Sequence, residues 1–404
     1  MRACERFLKY IKVHTTSDPA SGAAPSSAIQ LDLAHMLVEE MTALGIEDAH
    51  VDAFGVVYGW LSATKGCEDL PALGFIAHMD TSPDYSGKNV KPQILANYDG
   101  GDVVLAGTGD VLTVESFPTL PALKGMTLIT SDGTTLLGAD DKAGIAEILT
   151  AVEAIVTGSK PHGRLCIAFT PDEEIGMGVA HFDVAKFGAQ FAYTVDGGRE
   201  GEIAYETFNA ASAKVEITGM SVHPGSSKDT MINAALVAME FNSLLPAGDT
   251  PRLTKGYEGF FHLHELKGDV SAASMEYIVR DHDRAMFECR KQTMRHAAKV
   301  INERYGREVV RLSIRDTYYN MAEKIAPHMH LIESAKRAAE KAGMTPFCEP
   351  VRGGTDGCRL SEMGLPTPNL CTGGFAYHGK FEHIAVESMD RCTRMLELLM
   401  TGEA

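Results

Sequence analysis

Residues 141–176 read DKAGIAEILTAVEAIVTGSKPHGRLCIAFTPDEEIG, a helical pattern that is followed by a short apolar run and an acidic turn. Apolar side chains recur at helical spacing through 141–156, which predicts a long helix. The run LCIAFT at 165–170 has the length and composition of a fully buried strand. A helix that leads into such a strand is typical of an α/β protein with a mostly parallel sheet covered on both faces.

The same alternation of helices and buried strands extends in both directions from this stretch. A helix is predicted within 26–45, and short strands are predicted in LGFIAHMD (73–80) and FAYTVD (191–196). Helical spacing returns at 330–343 and 387–400. The pattern therefore predicts an α/β domain formed by residues 1–207 and 318–404.

A different pattern occupies residues 208–317. Strand, helix, two strands, helix and strand follow one another there, which is the order βαββαβ. That order is the split, ferredoxin-like plan, in which two helices cover one face of a four-stranded antiparallel sheet. We expect a small α+β domain inserted into the larger α/β domain.

Composition excludes several classes of protein. The chain has 404 residues and a formal net charge of -17, which argues against nucleic-acid binding because phosphate contacts need clustered Lys and Arg. No apolar stretch approaches the roughly 18 residues that a membrane span needs. None of the eight cysteines has C-x-x-C spacing, and no signal peptide is recognisable, so we expect a cytoplasmic protein.

In four segments, histidine or carboxylate residues come directly after an apolar run that predicts a strand. They are His78 and Asp80, Asp140 and Asp141, Glu173 and Glu174, and Asp196. Open α/β sheets bind ligands at the carboxyl ends of their strands, so these side chains are expected to converge in one crevice. His378, in GGFAYHGK near the end of the chain, is a further candidate.

Charge balance favours two metal ions in such a crevice. Imidazole and carboxylate suit zinc. The five candidate ligands supply two neutral imidazoles and three negative charges, and they are His78, Asp140, Glu174, Asp196 and His378. Two Zn²⁺ with a bridging hydroxide would leave this set near neutral, whereas one ion would leave an excess of negative charge. We expect one carboxylate to bridge the two ions.

The adjacent residues Glu173 and Glu174 can have two different roles. Neighbouring side chains on an extended segment point in different directions, so one can ligate a metal while the other takes a proton from an attacking water. Asp80 lies two residues after His78 and can hold the imidazole by its other nitrogen.

Each motif taken alone has a plainer interpretation. An acidic pair after a strand is usually a solvated turn, Asp141 can be a helix cap, and a single histidine such as His378 is more often structural than a ligand. Their joint occurrence at strand ends favours a site.

The remaining candidate residues are ones that could bind the substrate. His223, in the turn MSVHPGSS, can polarise a carbonyl oxygen or can simply be a surface histidine. Arg280 and Arg352 can each hold a carboxylate, although either can equally be a salt-bridge partner.

Taken together, these segments resemble the dinuclear-zinc M20 family of metallopeptidases. The resemblance rests on HMDTSPDYSGKNVKP, TLLGADDKAGIAEI, AFTPDEEIG, YTVDGG, NAAS, VHPG, GYEGF, YNM, RGGTDG and GGFAYHGK, and it runs nearly end to end. It implies a zinc-binding α/β domain and an inserted lid, through which a homodimer would form.

The resemblance also implies a role for each candidate residue. His78 and Asp196 would bind one zinc, Glu174 and His378 the other, and Asp140 would bridge them. Glu173 would be the general base and Asp80 would orient His78. His223 would bind substrate or stabilise the oxyanion, and Arg280, Asn320 and Arg352 would contact the carboxylate end of a peptide.

The implied activity is removal of the N-terminal residue from short peptides, chiefly tripeptides. An M20-type carboxypeptidase or N-acyl amino acid deacylase would use the same metal pair and remains an alternative. A non-catalytic metal-binding protein is the alternative from another class. The presence of Glu173 weighs against a non-catalytic protein, because that residue is not expected to bind a metal ion.

Overall fold

The computed structural model describes all residues, Met1–Ala404, and they form two compact units. One unit comprises Met1–Tyr205, Glu323–Glu349 and Thr355–Ala404, and the other comprises Glu206–Ala322 and Pro350–Gly354. The second unit therefore includes residues 206–207, 318–322 and 350–354, which the sequence pattern had assigned to the larger domain. Residues 350–354 pair with the rest of the second unit through a parallel bridge between Thr207 and Val351.

Ten α-helices are present. They are α1 (Ala3–Tyr10), α2 (Gln30–Ala43), α3 (Ala139–Gly158), α4 (Val184–Phe187), α5 (Ala234–Ser243), α6 (Arg284–Tyr305), α7 (Ala322–Ile325), α8 (His330–Lys341), α9 (Asp356–Glu362) and α10 (Val386–Thr401). Short 3₁₀ turns cover Leu120–Leu123, Glu173–Ile175, Pro224–Ser226, Pro251–Leu253 and Ala326–His328.

Eighteen strands accompany these helices. They are β1 (Glu47–Val51), β2 (Val57–Leu61), β3 (Leu73–His78), β4 (Pro92–Leu95), β5 (Val103–Val104), β6 (Val111–Leu112), β7 (Leu128–Ser131), β8 (Leu165–Thr170), β9 (Phe191–Gly197), β10 (Glu202–Ala204), β11 (Asn209–Thr218), β12 (Phe260–Gly268), β13 (Ala272–Asp281), β14 (Val310–Tyr318), β15 (Phe347–Cys348), β16 (Asn369–Cys371), β17 (Gly374–Phe375) and β18 (His383–Ala385).

An eight-stranded sheet forms the centre of the larger unit, in the order β1-β2-β8-β3-β9-β16-β10-β15. The four middle strands, β8, β3, β9 and β16, are parallel to one another. All six residues of β8 are buried, as its apolar sequence predicts. The predicted α/β class with a mainly parallel central sheet is therefore confirmed.

Both faces of this sheet are covered. On one face α3 packs against β3 and β9, with α1 and α10 beside it. On the other face Tyr58 and Trp60 pack with Phe182 and Phe187, and the Trp60 indole N–H donates to the Phe187 carbonyl at 2.9 Å. Burial on both sides explains why the strands are apolar runs rather than alternating ones.

The second unit contains an antiparallel sheet in the order β12-β13-β11-β14. Burial alternates residue by residue along β13 and, from Ala211 onward, along β11, and α5 and α6 cover the buried face. Two helices on one face of four antiparallel strands confirm the predicted ferredoxin-like order.

A second, smaller sheet of the larger unit was not predicted. It is antiparallel, in the order β17-β18-β7-β4, and the connection from β17 to β18 carries His378. Pairing of β18 with β7 fixes this connection close to the segment that precedes α3. None of the helices combines the length and the apolar character that a membrane crossing requires.

Candidate metal centre

Three adjacent strands bring the predicted site residues to one edge of the central sheet. His78 is the last residue of β3, Asp196 lies near the end of β9, and the turn with Glu173 and Glu174 follows β8 directly. Since these strands are parallel neighbours, their carboxyl ends lie at the same edge. Asp140 reaches the same place from the first residues of α3.

The carboxylate of Asp140 lies between two imidazoles. Its Oδ1 is 2.9 Å from Nε2 of His78, and its Oδ2 is 3.1 Å from Nε2 of His378. The two histidines come from segments 300 positions apart in the chain, so only the tertiary fold can bring them to one carboxylate. An acidic group in this position can contact two cations at once.

One further carboxylate accompanies each imidazole. Oδ1 of Asp196 is 3.4 Å from Nε2 of His78, and Oε2 of Glu174 is 3.0 Å from Nε2 of His378. All five predicted ligands therefore meet in one cluster, and the pairing of imidazoles with carboxylates is the one that the family resemblance implies.

Asp80 links two parts of the cluster. Its buried carboxylate accepts the backbone N–H of Glu173 at 3.0 Å and that of Glu174 at 3.2 Å, and its Oδ1 is 3.3 Å from Nδ1 of His78. The sequence predicted only the contact with His78. The structure adds that Asp80 fixes the backbone of the acidic turn.

Glu173 differs from its neighbour in that its carboxyl group makes no hydrogen bond or ion pair within the protein. Burial, and next the charge of Asp196, raise the pKa of Glu173 well above its usual range. A half-buried carboxyl without a protein partner, next to the predicted ligand set, is the arrangement that a general base needs.

Burial also raises the pKa of two of the predicted ligands. It brings the pKa of Glu174 to about 7 and that of Asp196 to about 7, against the opposing effect of the nearby histidines. Burial acts on Asp140 in the same direction, but its hydrogen bonds with His378 and His78 outweigh it, and the pKa of Asp140 lies below its usual range.

The pKa values of both imidazoles are raised as well. Hydrogen bonds to Asp140 and Glu174 raise the pKa of His378 to about 11. Burial would lower the pKa of His78, but the charge of Asp196 and the hydrogen bond to Asp140 raise it well above its usual value. A surplus of buried carboxylates draws cations to this place.

The donor set fits metal ions. Ligand atoms of His78, Asp140 and Glu174 lie within 4.8 Å of one another, as do those of His78, Asp141 and Asp196. Oε1 of Glu174 is buried without any hydrogen-bond partner, which would be costly unless a cation completes its coordination. Imidazole and carboxylate are ligands that zinc accepts, and buried carboxylates in this number need positive charge.

Two further buried carboxylates lie near the cluster: Asp141, which the sequence placed in the crevice or at a helix cap, and Asp356, which the sequence did not single out. Asp141 accepts the backbone N–H groups of His78 at 3.1 Å and of Gly144 at 3.2 Å, so it holds the last residue of β3 and caps the first turn of α3. Asp356 accepts the hydroxyl of Thr170 at 2.8 Å. The motif RGGTDG contains Asp356, but only its arginine had suggested a function.

The other predicted residues lie in the second unit. His223 is exposed, and its Nδ1 accepts the backbone N–H of Gly225 at 3.1 Å. Arg280 lies over the ring of Tyr318 and donates to the carbonyl oxygens of Val279 at 3.2 Å and Ala211 at 3.4 Å. Its guanidinium has no carboxylate partner, so the plainer interpretation of Arg280 as a salt-bridge residue is wrong.

Two predicted peptide contacts are engaged with backbone inside that unit. Oδ1 of Asn320 accepts the N–H groups of Thr207 and Ala322, both at 3.0 Å, and its amide donates to the carbonyl of His282. Arg352 donates to the carbonyl oxygens of Gly256 at 2.7 Å and of Glu258 at 2.8 Å. A direct contact with a peptide remains a prediction for both.

Comparison with known proteins agrees with this geometry. Residues 131–402 match the family described as Peptidase family M20/M25/M40. A Peptidase T of Clostridium perfringens strain 13 is 52% identical over 393 residues, which are 97% of this chain and 96% of that protein. The chain belongs to peptidase family M20/M25/M40. The resemblance inferred from the motifs is therefore confirmed.

Solved structures of other proteins share this M20 fold. The aminopeptidase PepT from Bacillus cereus superposes with a TM-score of 0.79 at 24% identity, covering 99% of this chain and 97% of that one. A dinuclear metal binding M20 peptidase from Bacillus subtilis has a TM-score of 0.63 at 14% identity, with 98% of each chain covered. At these identities the likeness establishes the fold.

Proposed function

We propose that this M20 peptidase is a zinc-dependent aminopeptidase that removes the N-terminal residue from short peptides, chiefly tripeptides. The observation that carries the proposal is 52% identity with a Peptidase T along nearly the whole of both chains. Convergence of two histidines and three carboxylates at one sheet edge supports a hydrolytic metal site.

Two zinc ions would be held by the five clustered ligands. We assign His78 and Asp196 to one ion and Glu174 and His378 to the other, with Asp140 shared. When bound, the metal pair supplies Lewis-acid activation of the scissile carbonyl and of the attacking water. The short distances from Asp140 to both imidazoles support the shared role of that carboxylate.

Glu173 is assigned the proton transfers. Its unpartnered carboxyl takes a proton from the attacking water and then gives a proton to the leaving amine. Asp80 keeps the base in place by accepting the N–H of Glu173. Its carbonyl oxygen and its carboxylate, 3.1 Å and 3.3 Å from Nδ1 of His78, hold that imidazole in the orientation that leaves Nε2 toward Asp140.

The first prediction concerns substrate length and metal dependence. We expect an unblocked tripeptide to be cleaved about 10-fold or more faster, in kcat/KM, than the matched dipeptide or tetrapeptide, because both peptide ends are recognised. Removal of metal with a chelator should reduce the rate about 100-fold or more, and added Zn²⁺ should restore it. Chromatography of released amino acids measures both effects.

An N-acylated amino acid and a peptide with a blocked N-terminus are the controls for this panel. Cleavage of the acylated amino acid in preference to the tripeptide would favour the deacylase alternative. Release of the C-terminal residue would favour a carboxypeptidase. Absence of hydrolysis from a zinc-loaded protein would leave the non-catalytic alternative.

The second prediction concerns Arg280. We propose that its guanidinium binds the C-terminal carboxylate of the peptide, because it has no acidic partner of its own. Arg280→Gln should raise KM for a tripeptide about 10-fold or more and leave kcat nearly unchanged, since a hydrogen bond between charged groups contributes about 1.5–3 kcal/mol. Steady-state kinetics on purified protein measure KM and kcat separately.

A tripeptide amide provides the internal control, because it lacks the carboxylate and should be cleaved equally by the wild type and Arg280→Gln. Arg315→Gln removes an exposed arginine from β14 of the same sheet and should change neither constant. An unchanged KM in Arg280→Gln would remove this residue from substrate binding.

A further inference from the structure

Glu382 is a buried carboxylate that touches the segment of Asp140 but is itself outside the ligand cluster. Its Oε2 accepts the backbone N–H groups of Leu137 at 2.7 Å and Gly138 at 2.8 Å, and its Oε1 accepts the N–H of Asp140 at 3.0 Å. The residue is 1% exposed. Three N–H groups of one short segment are therefore bound by a single side chain from about 240 positions away.

The backbone of Glu382 is connected to the other side of the cluster. Its N–H donates to the carbonyl of Gly379 at 3.2 Å, which closes the turn Gly379–Glu382 directly after His378. The next residue, His383, starts β18 and pairs with Thr130 of β7. The same residue thus holds Gly379, the neighbour of His378, through its backbone and the segment of Asp140 through its side chain.

We propose that Glu382 is a positioning residue that sets the carboxylate of Asp140 against the imidazole of His378 and so determines how tightly the metal pair is held. This inference rests on the proposed function, since it concerns the same metal centre. The 3.1 Å distance from Oδ2 of Asp140 to Nε2 of His378 is the contact that depends on it. Partners that orient metal ligands typically contribute 10–100-fold to metal affinity.

A carboxylate is the side chain that this place requires. Two oxygens can accept all three N–H groups, whereas the amide of a glutamine offers one oxygen and one N–H₂ donor. A glutamine would fill the same volume but would turn its donor toward at least one backbone N–H. That N–H would lose its acceptor inside the protein, and the segment of Asp140 would move to recover one.

The test is the zinc affinity of Glu382→Gln. Zinc-loaded enzyme is titrated with a chromophoric chelator, and we expect Glu382→Gln to lose Zn²⁺ at an affinity about 10–100-fold lower than the wild type. Excess Zn²⁺ should restore most of the activity, with KM for a tripeptide unchanged, because Glu382 is buried and its two oxygens are bound to backbone N–H groups. Recovery by metal separates positioning from a general loss of structure.

Glu147→Gln is the matched control. Glu147 is also fully buried in the same unit, on α3, and neither of its carboxyl oxygens has a hydrogen-bond partner, so the amide should leave zinc affinity unchanged. Glu382→Asp keeps two acceptor oxygens on a shorter side chain and should give an intermediate affinity. It replaces the glutamine variant if that protein does not fold.

Equal zinc affinity in the wild type and in the folded Glu382 variant would overturn the inference, and so would a loss that Glu147→Gln reproduces. A wild type that binds no Zn²⁺ at all would instead contradict the proposed function. The two failures are therefore distinguishable in one titration series.

Discussion

Replacing Glu173 by alanine is expected to leave two metal ions bound and to lower kcat about 10³-fold. Its carboxyl makes no hydrogen bond or ion pair within the protein, so its removal should not disturb the five predicted ligands. The lost proton transfers account for the rate effect, since general acid–base catalysis contributes about 10²–10⁴-fold. Metal content by mass spectrometry and kcat on a tripeptide measure the two halves of this result.

The neighbouring residue offers the matched comparison. Glu174→Ala removes Oε2, which lies 3.0 Å from the His378 imidazole, so this variant should lose bound metal as well as activity. The Glu173→Ala and Glu174→Ala proteins would then both have a low kcat, but only Glu174→Ala would have lost bound metal. Substantial turnover by Glu173→Ala would remove Glu173 from the role of base.

Replacing Asp140 by asparagine is expected to have the larger effect on metal. The amide keeps the size of the side chain but leaves one oxygen where two now face His78 and His378. Loss of a shared ligand should exceed the 10–100-fold that is typical of an outer partner, so we expect zinc affinity to fall about 10³-fold or more and the rate to fall with it. Chelator competition and kcat/KM measure both.

Asp84→Asn is the control for this experiment. Asp84 also faces His378, with Oδ2 3.8 Å from Nδ1, but its side chain is 73% exposed and solvent screens its charge. We expect a change of less than about 3-fold in either quantity. An Asp140→Asn protein that retained two tightly bound ions would contradict the shared role of Asp140.

Much of the metal centre could be anticipated because it depends on local pattern. An apolar run that ends in His78 or Asp196 marks a strand end, and parallel strands bring their ends to one edge. The helix that begins after Gly138 and the acidic turn after β8 follow the same rule. Residue type then suggested metal, because imidazoles and carboxylates at a buried edge have few other stable partners.

Other contacts of the predicted site residues could not be recognised from the sequence pattern. The second contact of Asp80, with the backbone of Glu173 and Glu174, depends on β3 and β8 being neighbours. Asn320 was expected to touch substrate, yet its amide is occupied by three backbone groups in the second unit. The sequence shows which groups a side chain offers but not which of them are already taken.

The amino-acid sequence by itself determined the α/β class, the inserted βαββαβ unit and the types of residue at each strand end, because hydrophobic periodicity and strand length are local properties. Only the tertiary structure decided that Asp140 lies between His78 and His378 and that Glu382 holds the segment before α3. These contacts join segments as much as 300 positions apart, and their distances are set by strand order in the eight-stranded and four-stranded sheets of the larger unit, which local periodicity does not encode.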